Sequence, residues 1–139
     1  MNKKNLDAEK NFLQALENHK RNNIQSAENY YKKALKLNPD HFETNYYLAG
    51  LFAQTKNFSP AKLLFEKAIK IKPDFVEAHY NLGIILHELG EYQKAVISYE
   101  KAIKIQPYHL KTYNNLGTLL NQLNENQKAI SYFEKVIEL

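Results

Sequence analysis

The sequence predicts an all-α protein: a solenoid of four antiparallel helix pairs stacked along the chain. Three observations carry this. Pro39, Pro73 and Pro107 recur every 34 residues, and the phrases that follow or include them, NPDHFETNYYLAG, KPDFVEAHYNLG and QPYHLKTYNNLG, are near copies of one another. Each period holds two apolar patterns of helical spacing, about 13 residues long, joined by a short polar turn. Aligned on the prolines, large and small side chains fall into rows, which is how stacked helices interlock.

A polar lead-in, residues 1–7, precedes units at about 8–41, 42–75, 76–109 and 110–139, read as one domain. The first helix of each unit supplies the rows Leu48, Leu82, Leu116 and Phe52, Leu86, Leu120. Between them runs a small row, Ala15, Ala49, Gly83, Gly117, which admits a neighbouring helix closely. The second helix supplies Ala27, Ala61, Ala95, Ala129, then the aromatic row Tyr31, Phe65, Tyr99, Phe133. Asn11, Gln14 and Asn18 interrupt the rows in unit one, so its first helix is expected to pack least well.

Helix ends are also written in. Each proline stops a second helix and pushes the residue before it out of helical conformation. Asp40 with Glu43, and Asp74 with Glu77, have capping-box spacing; Tyr108 and Lys111 lack it, so the last first-helix should start less firmly. Ser59-Pro60 reads as an N-cap followed by proline in the first turn. Gly90, Asn22 and Asn124 suit a left-handed turn inside their pairs. Lys36, Lys70 and Lys104 fall in the last turn of second helices and complement the dipole there; Glu138 breaks that row.

Composition narrows the function. The 139 residues are 44% hydrophobic and 12% aromatic, enough for a core. The absence of cysteine removes disulfides, thiolate metal sites and thiol nucleophiles. MNKKNLD leads into no apolar stretch, and no run approaches the roughly 20 apolar residues that span a bilayer, so the expected setting is cytoplasmic, without a membrane partner. The net charge of +4 is a mild bias. Most lysines fall on second helices with little aromatic interleaving, so no nucleic-acid partner is expected.

The rows resemble the tetratricopeptide repeat family from about Ala8 to Leu139, through the small residue at Ala15, Ala49, Gly83 and Gly117, the alanine at Ala27, Ala61, Ala95 and Ala129, the aromatic row and the closing proline. The resemblance implies a right-handed superhelix whose first helices line a concave groove, and a protein-interaction module that binds a peptide segment or partner helix there. Some members grip acidic chaperone tails with a lysine and asparagine clamp; only Asn81 and Lys111 match it, and Tyr46, Gly50 and Asn115 do not. The repeat region of the O-linked N-acetylglucosamine transferase instead uses an asparagine ladder to hold peptide backbone. Asn81 and Asn115 form two rungs of such a ladder.

The groove residues expected to bind peptide are therefore Tyr46, Tyr80, Asn81, His87, Lys111, Asn114 and Asn115. Catalytic residues, metal ligands and cofactors are expected to be absent. His79 and His87 are eight residues apart, too far for a helical ligand pair, and His79 sits in an aromatic row. His41 and His109, in equivalent turns after prolines, read as surface residues. Two other readings compete: a substrate-targeting segment of a larger transferase-type enzyme, and a self-assembling scaffold. The latter draws on an apolar flank at Leu119, Leu123, Ile130, Phe133 and Ile137, through which a homodimer could form.

Overall fold

A computed structural model describes residues 2–139. Among these residues the chain forms eight α-helices: α1 (Lys3–Lys20), α2 (Ile24–Leu37), α3 (Phe42–Gln54), α4 (Phe58–Ile71), α5 (Val76–Glu88), α6 (Tyr92–Ile105), α7 (Leu110–Gln122) and α8 (Asn126–Glu138). The polar lead-in is helical from Lys3, with the Asn2 side chain accepting from the Asn5 N–H; Met1 lies outside the described residues.

The helices pair as the period demands, α1 with α2, α3 with α4, α5 with α6 and α7 with α8. They gather into two compact units, one ending at Pro73 and one spanning Asp74–Leu139. In the first, α2 and α1 both pack on α3, around Phe12, Ala15, Ala27, Tyr31, Leu48 and Leu51. In the second, α6 packs on α7, and Leu82, Ile85, Leu86, Tyr99, Leu116 and Leu120 are buried. Among the first helices α1 buries least, Ala8, Phe12 and Ala15 over 18 residues against six over 13 in α3, but α8 buries less still, only Ala129 over 13.

The turn inside every pair is the same structure. Asn22, Lys56, Gly90 and Asn124 have φ of 63°, 63°, 77° and 64°. The next residue's N–H bonds back five positions: Asn23 to Asn18, Asn57 to Phe52, Glu91 to Leu86 and Glu125 to Leu120, at 2.7–2.8 Å. This is the Schellman closure, which satisfies carbonyls that a helix end otherwise leaves bare. Lys56 shows that the turn does not require glycine or asparagine. A Cβ added at Gly90 meets nothing within 4 Å, so Gly90→Ala tests the backbone alone. It should lower stability by about 1 kcal/mol, read in a denaturant titration.

The second-helix ends agree with the sequence: α2, α4 and α6 stop two residues before their prolines, with a lysine in the last turn. The helix starts differ. The N-cap of α3 is His41, whose imidazole accepts from the Thr44 N–H, and that of α5 is Phe75 with no side-chain cap bond. Neither Asp40 nor Asp74 is therefore the capping residue. Asp40 pairs instead with Lys67 at 3.1 Å. At α4 the cap is Asn57, two residues earlier than Ser59-Pro60 suggested, and Pro60 occupies the first turn, where its missing N–H costs nothing. On the apolar flank, Leu119 is fully buried, whereas Ile130, Phe133 and Ile137 are exposed.

Candidate peptide-binding face

The first helices within each unit are tied together by polar bridges. His41 Nδ1 meets the Thr44 hydroxyl at 2.7 Å, and its Nε2 reaches Glu9 on α1 at 2.7 Å. A carboxylate only accepts, so Nε2 carries the proton and Nδ1 accepts from Thr44. In the second unit His109 repeats this, with Thr112 at 2.6 Å and Glu77 of α5 at 2.8 Å. At the other end of the same helices, His19 Nε2 donates to Gln54 Oε1 at 2.9 Å, and His87 Nε2 to Gln122 Oε1 at 3.0 Å. His41 and His109 are thus not the surface residues that their turn positions suggested: the His109 side chain is 9% exposed and that of His41 13%. His79 is buried, as its place in the aromatic row implied.

These bridges expose a longer period. Glu9 and Glu77, His19 and His87, His41 and His109, Thr44 and Thr112, and Gln54 and Gln122 are each 68 residues apart, two repeats rather than one. The signal was present in the sequence, but an alignment on 34 residues places Phe75 against His41 and hides it. The aromatic packing doubles likewise. Phe12 lies against His41 and Tyr47, with ring centroids 5.3 and 5.8 Å away, and Tyr80 lies against His109 at 5.0 Å. Where Tyr47 contacts Phe12, Asn115 instead donates a hydrogen bond to the Tyr80 hydroxyl at 3.2 Å.

Of the expected groove residues, the second unit holds six. Tyr80 and Asn115 are joined directly, half-buried on α5 and α7. Burial, first, holds the neighbouring Tyr99 phenol above its ordinary range, with the Asn115 amide opposing that shift. His87 is fixed by Gln122. Asn81 is half-buried on α5. Lys111 and Asn114 are exposed, and Lys111 stands in the first turn of α7, where a helix dipole favours anions over its own charge. Tyr46 belongs to the first unit, stacked on Phe42 at 5.9 Å and edge-on to Phe65 at 5.8 Å.

The frame is constant between the units while the outward positions change character. Leu13, Tyr46, Tyr47, Gly50 and Ala53 of the first unit correspond to Asn81, Asn114, Asn115, Thr118 and Asn121 of the second. One unit presents an apolar and aromatic first-helix face, the other an amide and hydroxyl face. Among the described residues no cluster of three or more histidine or acidic side chains could hold a metal ion, and no helix is long and apolar enough to cross a membrane.

A family model described as Tetratricopeptide repeat matches residues 74–139, and one described as Anaphase-promoting complex, cyclosome, subunit 3 matches residues 20–102. Among solved structures the chain is similar to MamA, with a TM-score of 0.92 at 24% identity over 95% of this chain and 77% of that one. MamA from Desulfovibrio magneticus RS-1 superposes with a TM-score of 0.90 at 25% identity, over 96% of this chain and 75% of that one. MamA AMB-1 gives 0.89 at 20%, over 96% and 73%. No curated protein sequence matches the chain.

Proposed function

We propose that the chain, which belongs to the tetratricopeptide repeat family, binds an extended peptide segment or partner helix on the first-helix faces of its units. The observation that carries this is the Tyr80–Asn115 pair. A carboxamide has two N–H donors and an oxygen with two lone pairs. With one N–H directed at Tyr80, Asn115 is held in place yet keeps capacity to pair with peptide main chain. Asn81, Asn114, Lys111 and His87 complete the second unit's face in this reading, and Tyr46 gives the first unit's face aromatic area of its own. The amide face suits main-chain recognition without a strict sequence; the Leu13 and Tyr47 face, 53% and 39% exposed at those residues, suits an apolar side chain.

Peptides selected by the native chain from a displayed random library provide the test. Asn81→Ala with Asn115→Ala should weaken the selected peptides about tenfold, the loss of one to two hydrogen bonds, with little change in unfolding midpoint. Undiminished affinity would remove these residues from the site. This reading sets the protein in the cytoplasm, where recovery in a secreted or membrane fraction would revise it. A homodimer is a second reading, supported by the line of Ile130, Phe133 and Ile137 along α8, at 49%, 37% and 86% exposure. Solution mass constant across a concentration series at the monomer value would end it.

A further inference from the structure

The second-helix side of the second unit carries a cleft that peptide binding on the first helices does not use. It encloses about 380 Å³ between α6 and α8, with Glu100 and Ile103 on one wall, Lys128, Tyr132 and Lys135 on the other, and Tyr113 beneath. The α8 residues are spaced four and three apart and so share one helix face. The Tyr113 and Tyr132 rings lie 6.1 Å apart at 42°, an aromatic floor. Burial, and secondarily the Glu100 carboxylate, hold the Tyr132 phenol above its ordinary range, so it remains a neutral donor.

The α8 rim carries two lysines, and Glu100 faces them. Lys128 and Lys135 pair with Glu125 and Glu138 on their own helical stretch, at 3.0 and 3.4 Å, and both ammonium groups are well exposed. Exposed pairs of this kind are weakly held and yield readily to another carboxylate. Seven residues of helix separate the two lysines by about 10.5 Å along the axis. Three residues of extended peptide cover about 10 Å.

We propose that this cleft binds an acidic peptide segment that carries an aromatic residue between two carboxylates three residues apart. The ring rests on Tyr113 and Tyr132, and the carboxylates meet Lys128 and Lys135. Glu100 on the facing wall accepts main-chain N–H groups and repels densely charged chains, which selects against a phosphate backbone. The second-helix lysines thus gain a role beyond solubility.

The probe is the blocked tetrapeptide acetyl-Glu-Phe-Gly-Glu-amide, titrated into the isotope-labelled full chain with amide shifts as readout. Saturable shifts are expected at Ser131, Tyr132 and Lys135, with a dissociation constant of about 1 mM or below. Lys128→Gln with Lys135→Gln, both exposed and so harmless to folding, should weaken it about tenfold and remove its salt dependence. Replacing both peptide glutamates by glutamine, or the phenylalanine by alanine, should weaken it comparably. Asn81→Ala with Asn115→Ala should leave the titration unchanged, which separates this cleft from the first-helix face. Absence of saturable shifts on α6 and α8, or equal binding of the glutamine peptide, overturns the proposal. Tighter binding of a single-stranded oligonucleotide at the same amides overturns the assignment to peptide.

Discussion

Gly83→Ala is expected to lower the stability of the second unit by about 2 kcal/mol, whereas Gly117→Ala should change it by about 0.5 kcal/mol or less. A Cβ at Gly83 would lie 2.5 Å from Cε1 and 2.6 Å from Cδ1 of Tyr99. Tyr99 is 1% exposed and packed against Tyr80 at 6.2 Å, so its ring has nowhere to turn. Helix propensity returns roughly 0.5–1 kcal/mol for glycine to alanine, which reduces the loss without cancelling it. At Gly117 the added carbon meets Phe133 Cζ at 2.7 Å, a contact as short, but Phe133 is 37% exposed and can swing outward. The first unit places alanine in this row, Ala15 sharing a core cluster with Tyr31, so a methyl fits where the pair is spaced for it. The cost at Gly83 is that of respacing α5 and α6. Denaturant titration of both variants decides it: equal losses, or a gain at Gly83, would show that the ring relaxes and the clamp is absent. Tyr99→Leu in the Gly83→Ala background should recover part of the loss.

The close approach at Gly83 could be read from the sequence because a small residue recurs there in four units, and a row of small residues against a row of large ones has one packing solution. The prolines and three of the four left-handed turns were equally readable, since each rests on a residue whose backbone preference is strong; the fourth, at Lys56, was not. The helix starts were not. Asp40 has capping spacing to Glu43, but the chain after Pro39 makes one more turn position before α3 begins, which hands the cap to His41 and frees Asp40 for Lys67. Side-chain caps differ by about 1 kcal/mol between neighbouring candidates, too little to fix a boundary from sequence while tertiary contacts are being made.

The candidate face was half legible. Tyr80, Asn81 and Asn115 follow from repeat position alone. What holds them does not, because the bridging partners are separated by 32 and 35 residues and recur every 68. A single-repeat alignment treats His41 and His109 as turn residues and Phe75 as their equivalent. Only the geometry shows that histidine at this position reaches back to the preceding first helix, to Glu9 or Glu77, and so converts two repeats into one fixed pair.

That bridge carries the second large expected effect. His109→Ala should cost about 2–3 kcal/mol. It removes the ring that backs Tyr80 at 5.0 Å, leaves the Thr112 hydroxyl, fully buried, without its 2.6 Å partner, and releases Glu77. The chain contains its own alternative at the intervening repeat, where Phe75 and Ala78 stand in place of the histidine and threonine. His109→Phe with Thr112→Ala should therefore stay within about 1 kcal/mol of the native chain, since replacing both partners of a buried hydrogen bond by apolar groups avoids the orphaned hydroxyl. His109→Phe alone should fall between the two. Unfolding midpoints of the three variants give the order, and a loss below about 0.5 kcal/mol for His109→Ala would mean that the bridge forms without contributing stability. The double variant also separates stability from recognition. It keeps a ring behind Tyr80 but gives up the link to Glu77, so a selected peptide that binds it as tightly as the native chain would assign the bridge to folding, and a weakened one would assign it to holding the Tyr80–Asn115 pair in register for the ligand.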